Sequence, residues 1–293
     1  MSFFFEVTIN GLLVGIMYAL VAMGFALIFK ASDVFNFAQG DFSLLAGLAL
    51  VGFLEMGMPV WLAIVCTLGV MAILAYSTVF IIFTPLVARP PLILFMAAIG
   101  LSFLVQGIGQ AIWGTDAKGL DIGIPDNPII LGEIYLSTFD LIFGVIAGLV
   151  LAGLVLFFQK TRTGRALRAV ADDHEAALSV GIPLLKAWAV VWVIAGIVAL
   201  VAGIAWGSRL GVQFSLSLIA LKALPVLILG GIDSIPGAII AGLAIGALEN
   251  LAEVYIGPFV GGGIQSFFPY LMALLFLWFK PYGMFGKEIV ERV

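Results

Sequence analysis

Apolar stretches of about 20 residues recur along this chain with only short polar breaks between them, and that recurrence decides what it can fold into. A hydrocarbon layer roughly 30 Å thick is crossed by about 20 helical residues, because each residue advances a helix by about 1.5 Å. A β-barrel would instead show alternating segments of about 10 residues, so helices are favoured. Only 10% of the 293 residues are charged and 63% are hydrophobic, whereas soluble domains run near 25% charged. The expected fold is an all-α polytopic membrane protein with about eight or nine transmembrane segments, two of them broken or short. Cys66 is the single cysteine and lies in an apolar segment, so no disulfide framework exists. The opening MSFFFEVTINGLLVGIMYAL has no basic region and no small-residue cleavage site, and reads as a retained first helix rather than a signal peptide.

In chain order, a first span covers residues 7–29 and ends at Lys30. Val34 to Phe53 is polar in its first half and rich in small residues in its second, as a broken or short helix would be. Spans follow at 60–84 and 92–113, separated by the Pro90-Pro91 turn, then at about 141–158, 186–206, 213–230 (interrupted), 235–254 and 265–279. Residues 114–140 form an acidic loop with Asp116, Asp121, Asp126, Glu133 and Asp140 against one Lys118. Lys160, Arg162, Arg165, Arg168 and Lys186 crowd a central polar break, and Arg89, Lys280, Lys287 and Arg292 fall at other ends of the same parity. The positive-inside rule then places the central break and the C-terminus in the cytoplasm and the N-terminus outside.

The central break, Thr161 to Pro183, reads as one short cytoplasmic helix for a partner to hold; the alternative is a solvated loop that only sets topology. Thr163 is the expected N-cap, Arg165, Arg168 and Asp172 form a charged face, and Gly181 with Pro183 supplies the stop. Ala166, Val170, Ala177 and Leu178 are expected on the opposite face.

Five charged residues fall at membrane depth: Asp41, Lys222, Asp233, Glu249 and Glu253. A charge facing lipid is costly, so each should face protein, pair, or sit at an interface. Asp41 and Asp233 adjoin glycines at breaks and are expected to cap half-helices. Lys222 precedes Pro225 by three residues and is expected to clasp the carbonyl that the proline frees. Glu249, Asn250 and Glu253 are expected to face water at the outer end of a span. Gly100, Gly107 and the series Gly237 to Gly246 permit close helix packing. Asp41 to Leu50 echoes Pro236 to Ile245, and each follows a polar, glycine-bearing break. Paired interrupted segments point to a midplane pathway in a transporter, because unwound backbone is tolerated at depth only where protein or water satisfies it. Enzyme signatures are missing: His174 is the single histidine, so no intramembrane Ser-His or multi-histidine metal site can be built, and no GxxxxGK[ST] loop is present. An ion-coupled secondary transporter using Asp41, Asp233 or Lys222 is compatible with these residues alone.

Several stretches together resemble the LivH-type permease subunits of branched-chain amino acid ABC importers: Asn36 to Asp41, Arg89-Pro90, Thr163 to Ala169, Lys222-Ala223, Leu229 to Ala238, and Pro281 to Gly286. The resemblance covers nearly the whole chain in order and spacing. It implies a single transmembrane domain over 1–293, with an N-terminal half at 7–158, a cytoplasmic coupling loop at 159–184, a C-terminal half at 185–281 and a tail at 282–293. Glu175-Ala176-Ala177 with Gly181 is similar to the loop by which importer permeases dock into their ATPases, so Arg165, Arg168, Asp172, Glu175, Ala176, Ala177 and Gly181 are the implied coupling residues. Asn36, Gln39, Asp41, Ser43, Lys222, Asp233 and Ser234 are the candidate path residues. The implied partners are a second related permease subunit in a heterodimer, two cytoplasmic ABC ATPases and a periplasmic solute-binding protein, in a bacterial inner membrane, with no nucleic acid. The acidic loop 114–140 would be a contact for the binding protein. No cofactor is expected on this chain itself; ATP and Mg would be held by the ATPases. Family members commonly carry histidine where this chain has Gln39, which keeps hydrogen bonding but loses titration near neutral pH. Related members are linked to urea, short amides and aromatic acids.

Overall fold

The computed structural model describes residues 2–87, 89–125 and 127–286, with the side chains of Leu131, His174 and Glu175 outside that description. Asp126, Lys287 and Arg292 therefore lie outside the described residues. The helices in order are α1 (Ser2–Ser32), α2 (Gln39–Glu55), α3 (Val60–Ser77), α4 (Pro91–Trp113), α5 (Thr138–Lys160), α6 (Arg162–Asp172), α7 (His174–Ser179), α8 (Leu184–Leu210), α9 (Ile219–Gly230), α10 (Ile235–Tyr255), the short α11 (Gly257–Val260) and α12 (Phe268–Phe279). Among the described residues, six helical stretches are long and apolar enough to cross a membrane: Ser2–Ser32, Val60–Leu86, Pro91–Trp113, Thr138–Lys160, Leu184–Leu210 and Ile235–Tyr255. The protein is thus a helical, multi-pass membrane protein.

The segments expected to be broken or short are so. The stretch before α9 is a 3-10 turn, Phe214–Leu218, and α9 carries Pro225 within it. α2 has 17 residues, yet Gln39 to Gly52 are all buried, so protein rather than lipid surrounds its polar start. Two expectations need correction. The last span is shorter than 265–279, because a 3-10 turn at Ile264–Ser266 precedes a 12-residue α12. The acidic loop is not wholly irregular: β1 (Pro128–Leu131) pairs antiparallel with β2 (Ile134–Ser137), with Pro128 opposite Ser137 and Leu131 opposite Ile134 around Gly132 (φ 68°). The span at Val60 also loses regularity at its end, where a π-helical turn (Thr78–Phe83) and a 3-10 turn (Thr84–Leu86) follow α3.

The chain divides into two compact units: residues 1–26, 123–151 and 221–293 form one, and residues 27–122 and 152–220 form the other. In the first unit, α1 and α10 touch backbone to backbone. A Cβ on Gly246 would lie 2.4 Å from the Gly11 carbonyl oxygen and from the Gly15 Cα, and one on Gly15 would lie 2.5 Å from the Gly242 oxygen. Small residues permit that approach in lipid, where dispersion and close packing replace a hydrophobic driving force. In the second unit, α2 and α8 meet the same way, since a Cβ on Gly203 would lie 2.3 Å from the Ser43 oxygen. Gly100 and Gly107 do not share this role: nothing lies within 4 Å of a Cβ built there, so they face open space.

Element ends in the second unit gather as alternating spans require. Lys118, beyond α4, pairs with Glu55 at the end of α2 at 2.7 Å. It also exchanges both backbone hydrogen bonds with Val212 beyond α8, at 2.9 and 2.7 Å. At the opposite end, Leu27, Lys30 and Ala31 of α1 meet Phe158 of α5 and Leu167, Arg168 and Ala171 of α6.

The glycine crossings make a sharp prediction. Gly246→Val should leave little monodisperse protein in detergent, because overpacking costs about 1–3 kcal/mol and here strikes backbone that has no rotamer to yield. Gly107→Val should leave the melting temperature near the wild-type value; both are read by fluorescence-detected gel filtration with a thermal ramp.

Candidate functional site

The entrance to α2 is the most polar buried place in the second unit. Just past the end of α1, Asp33 lies in the left-handed region (φ 52°), and the chain runs irregularly to Ala38. Asn36 is fully buried and orders this break: its Oδ1 accepts from the Ala38 amide at 3.2 Å, and its Nδ2 donates to Gln39 Oε1 at 3.3 Å. Gln39 Nε2 donates to the Ala195 carbonyl of α8 at 3.3 Å. One end of the Gln39 amide accepts and the other donates, the same capacity a neutral imidazole offers. Gly40 lets the Ser217 carbonyl approach, where a Cβ would lie only 2.1 Å away. Ser43 Oγ donates back to the Gln39 carbonyl at 3.3 Å.

Asp41 does not cap α2, contrary to expectation. The cap position is Ala38, with no side-chain bond, and the Asp41 carboxylate turns to α4. It accepts from Gln106 Nε2 at 2.8 Å and from the Ser102 hydroxyl. Asn36, Gln39, Asp41 and Ser43 are thus brought together, with Ser102 and Gln106 as partners that sequence reasoning missed. Their signal was present: Ser102 and Gln106 are four apart, one face of a span otherwise nearly all apolar. Aromatic packing closes the neighbourhood, with the fully buried Trp192 ring of α8 lying 4.9 Å from Phe83 and 6.1 Å from Phe42.

The second break, between α9 and α10, lies in the first unit. Asp233 does not cap α10 either; Ser234 does, its Oγ accepting from the Gly237 amide at 3.1 Å. Asp233 stands one position earlier and is half-buried. Gly230 and Gly237 touch, and Gly231 (φ 104°) and Gly283 (φ 77°) meet across the turn. The stretch after α12 folds back here, so that Met284 donates its amide to the Leu229 carbonyl at 2.8 Å and Phe285 to the Gly230 carbonyl at 3.1 Å. The orphan carbonyls at the end of α9 are therefore satisfied from more than 50 residues away.

Lys222 is a clasp, with a different partner from the one expected. Its Nζ donates to the Gln265 carbonyl at 3.4 Å and lies 3.6 Å from Glu249 Oε1, rather than closing on the carbonyl that Pro225 frees. Glu249 does not face water: it is 3% exposed and takes Tyr18 Oη at 3.5 Å. Glu253 accepts from the Gly263 and Gln265 amides at 2.9 and 3.0 Å, and Asn250 Oδ1 accepts from Gln265 Nε2 at 2.9 Å. Lys222 and Ser234 thus serve different ends of this unit. Among the described residues, no group of three His, Cys, Asp or Glu side chains is placed to hold a metal.

The polar break Thr161 to Pro183 folds as two helices, not one. Thr161, rather than Thr163, caps α6, accepting from the Gly164 amide at 2.9 Å. Gly164 is required there, since a Cβ would lie 2.2 Å from the Phe157 oxygen. Gly164, Leu167 and Val170 form the buried face, while Arg165, Arg168 and Asp172 are exposed. The Arg165 guanidinium reaches the Lys160 carbonyl at 3.4 Å. Asp173, extended at φ −159°, breaks the helix and caps α7 by accepting from the Ala176 amide at 2.9 Å. α7 ends in two nested bonds, Gly181 to Leu178 at 3.0 Å and Ile182 to Ala177 at 3.0 Å, with Gly181 left-handed at φ 84°. Ala177 is buried and Ala176 exposed; Glu175 belongs to α7 by its backbone, and its side chain lies outside the described residues. Leu178 is not on the inner face: it is 53% exposed and Val180 is 75% exposed.

Six long apolar helices, with polar side chains buried where the chain breaks between helices, make this a multi-pass membrane protein with a polar interior. The chain belongs to the family described as branched-chain amino acid transport system, permease component, whose sequence pattern matches residues 7–277. It is 30% identical to the high-affinity branched-chain amino acid transport system permease protein BraD of Pseudomonas aeruginosa, over 97% of this chain and 96% of the relative. It is 27% identical to LivH of Escherichia coli strain K12, over 99% of this chain and 98% of the relative. A probable LivH of Methanocaldococcus jannaschii is 28% identical over 92% and 88% of the two chains.

The α2 entrance predicts an order of stabilities. Asp41→Ala leaves two part-buried donors, Ser102 and Gln106, without their acceptor, at up to about 1–3 kcal/mol each. Asp41→Asn should cost less, because its amide oxygen still accepts from one donor and the Gln106 amide can turn to meet the other group. Thermal unfolding of the purified protein should therefore rank wild type above Asp41→Asn above Asp41→Ala.

Proposed function

We propose that this chain is the transmembrane permease subunit of an ATP-driven bacterial importer for branched-chain amino acids, or for a related small solute such as an amide, urea or an aromatic acid. The α6–α7 pair carries this reading. A polar segment outside the spans is capped at each start, stopped at Gly181, and presents Leu178 and Val180 uncovered beside the Glu175-Ala176-Ala177 turn. Two neighbouring exposed apolar side chains on a polar segment support its reading as a contact surface. Its occupant in this reading is an ABC ATPase. The names of the relatives support branched-chain amino acids as the cargo.

The chain then acts as a transport subunit and not as an enzyme. Two cytoplasmic ATPases hold ATP and Mg, a second related permease completes the path, and a periplasmic solute-binding protein delivers cargo. It resides in the inner membrane, with the N-terminus periplasmic and the C-terminus cytoplasmic; the gathering of Lys30, Phe158 and Arg168 at one end supports that alternation. Transport proceeds by alternating access. ATP binding closes the ATPases, α6 and α7 carry that movement, and the breaks before α2 and α10 change which side the path faces. Asn36, Gln39, Asp41 and Ser43 offer the path polar groups, while Lys222, Asp233 and Ser234 organise the other break.

Three substitutions test the coupling surface in the assembled transporter. Val180→Asp should lower ATP-driven uptake by about fivefold or more, since loss of an interface anchor costs more than about 1 kcal/mol. Gly181→Val forces a β-branched residue to positive φ and should uncouple hydrolysis from uptake, as should Glu175→Lys. Uptake at wild-type level in all three, with normal amounts in the membrane, would refute the coupling role.

A further inference from the structure

Apart from the site described above, the second unit carries an apolar groove of about 690 Å³. Its walls are Tyr76 of α3 and Phe80 of the following π-helical turn, Leu154 and Phe157 of α5, and the α8 face from Lys186 to Ile194. The α8 lining residues are Lys186, Ala189, Val190, Val193 and Ile194. That spacing is one helix face, and it runs about 12 Å along the axis away from Lys186. The Tyr76 and Phe80 rings lie 4.3 Å apart, inclined by 33°, so they present one continuous aromatic wall. On α5, Lys160 is three residues beyond Phe157, one turn past the groove and exposed. Two exposed lysines therefore stand at one end of an otherwise apolar groove.

We propose that this groove is a site for one anionic glycerophospholipid of the membrane, with an acyl chain along Ala189, Val193 and Phe80 and its phosphate between Lys186 and Lys160. Any groove on a span fills with hydrocarbon; the lysines are what select the headgroup. Each interfacial lysine favours an anionic surface by about fivefold, so the pair gives about 25-fold over a zwitterionic lipid. A helix of a second permease is the poorer occupant. Helices approach one another in membranes over Gly, Ala and Ser, and here Ala189 is the one small residue among bulky aromatic and branched walls. A flexible chain fits such a surface without close backbone contact.

Native mass spectrometry of the assembled transporter, released from micelles after incubation with dioleoyl phosphatidylglycerol or dioleoyl phosphatidylcholine, tests this. Wild type should retain the phosphatidylglycerol preferentially. Lys160→Ala with Lys186→Ala, both exposed positions, should reduce its retention to that of phosphatidylcholine, and Val193→Trp should lower retention of both by filling the groove. Undiminished phosphatidylglycerol retention in the lysine double variant would overturn the proposal. So would cross-linking of Val190→p-benzoylphenylalanine to a second permease chain in place of lipid. The proposed coupling role does not enter this readout, so failure here leaves that role standing.

Discussion

Within hydrocarbon no water meets a free amide or carbonyl, so a chain may leave the helix at membrane depth only where protein supplies the missing partners. That constraint bears on two of the breaks among the described residues. Before α2, Asn36 makes a local turn that satisfies the Ala38 amide, and Gln39 and Ser43 use the rest of the polar capacity. Between α9 and α10, Ser234 serves the start of one helix, and the amides of Met284 and Phe285 serve the end of the other. The two sequence stretches Leu229 to Ala238 and Pro281 to Gly286 are therefore halves of one structure. Their glycines are what let the two backbones come within reach of each other.

Small residues have a second use, one that organises each unit separately. Gly11 and Gly15 meet Gly242 and Gly246 in one, and Gly203 meets the backbone at Ser43 in the other. The helices that follow the two breaks, α10 and α2, are also those that make these close crossings. The local echo between Asp41–Leu50 and Pro236–Ile245 follows from that shared duty: each needs a polar, unwound start and then a small-residue face.

What could be read from the sequence and what could not divides along physical lines. Apolar length and breaks were legible, because hydrocarbon thickness fixes them locally; so was Gly181 as a stop. The partners of buried charges were not. Asp41 looked like a cap because it follows Gly40, but only the position of α4 reveals Ser102 and Gln106 as a better use for its carboxylate. Glu249 looked like a surface residue from its place near a span end, whereas Tyr18 and Lys222 come from distant segments. Thr161 and Thr163 are both competent caps on paper. The choice falls to Thr161 because Gly164 alone permits the sharp exit from α5, and that depends on the Phe157 backbone.

The seating of α6 shows how a load at the polar segment can reach the interior of its own unit. Leu167, Arg168 and Ala171 line one small cleft together with Leu27, Lys30, Ala31 and Phe158. α1 ends two residues beyond Lys30, and Asp33, held at positive φ, opens directly into the Asn36 break. The α1 end of that cleft therefore stands within about five residues of the network that joins Asn36, Gln39 and α8. A rigid helix would carry such a load straight along its axis; an unwound break held by single side-chain hydrogen bonds, at about 1 kcal/mol each, can yield to it.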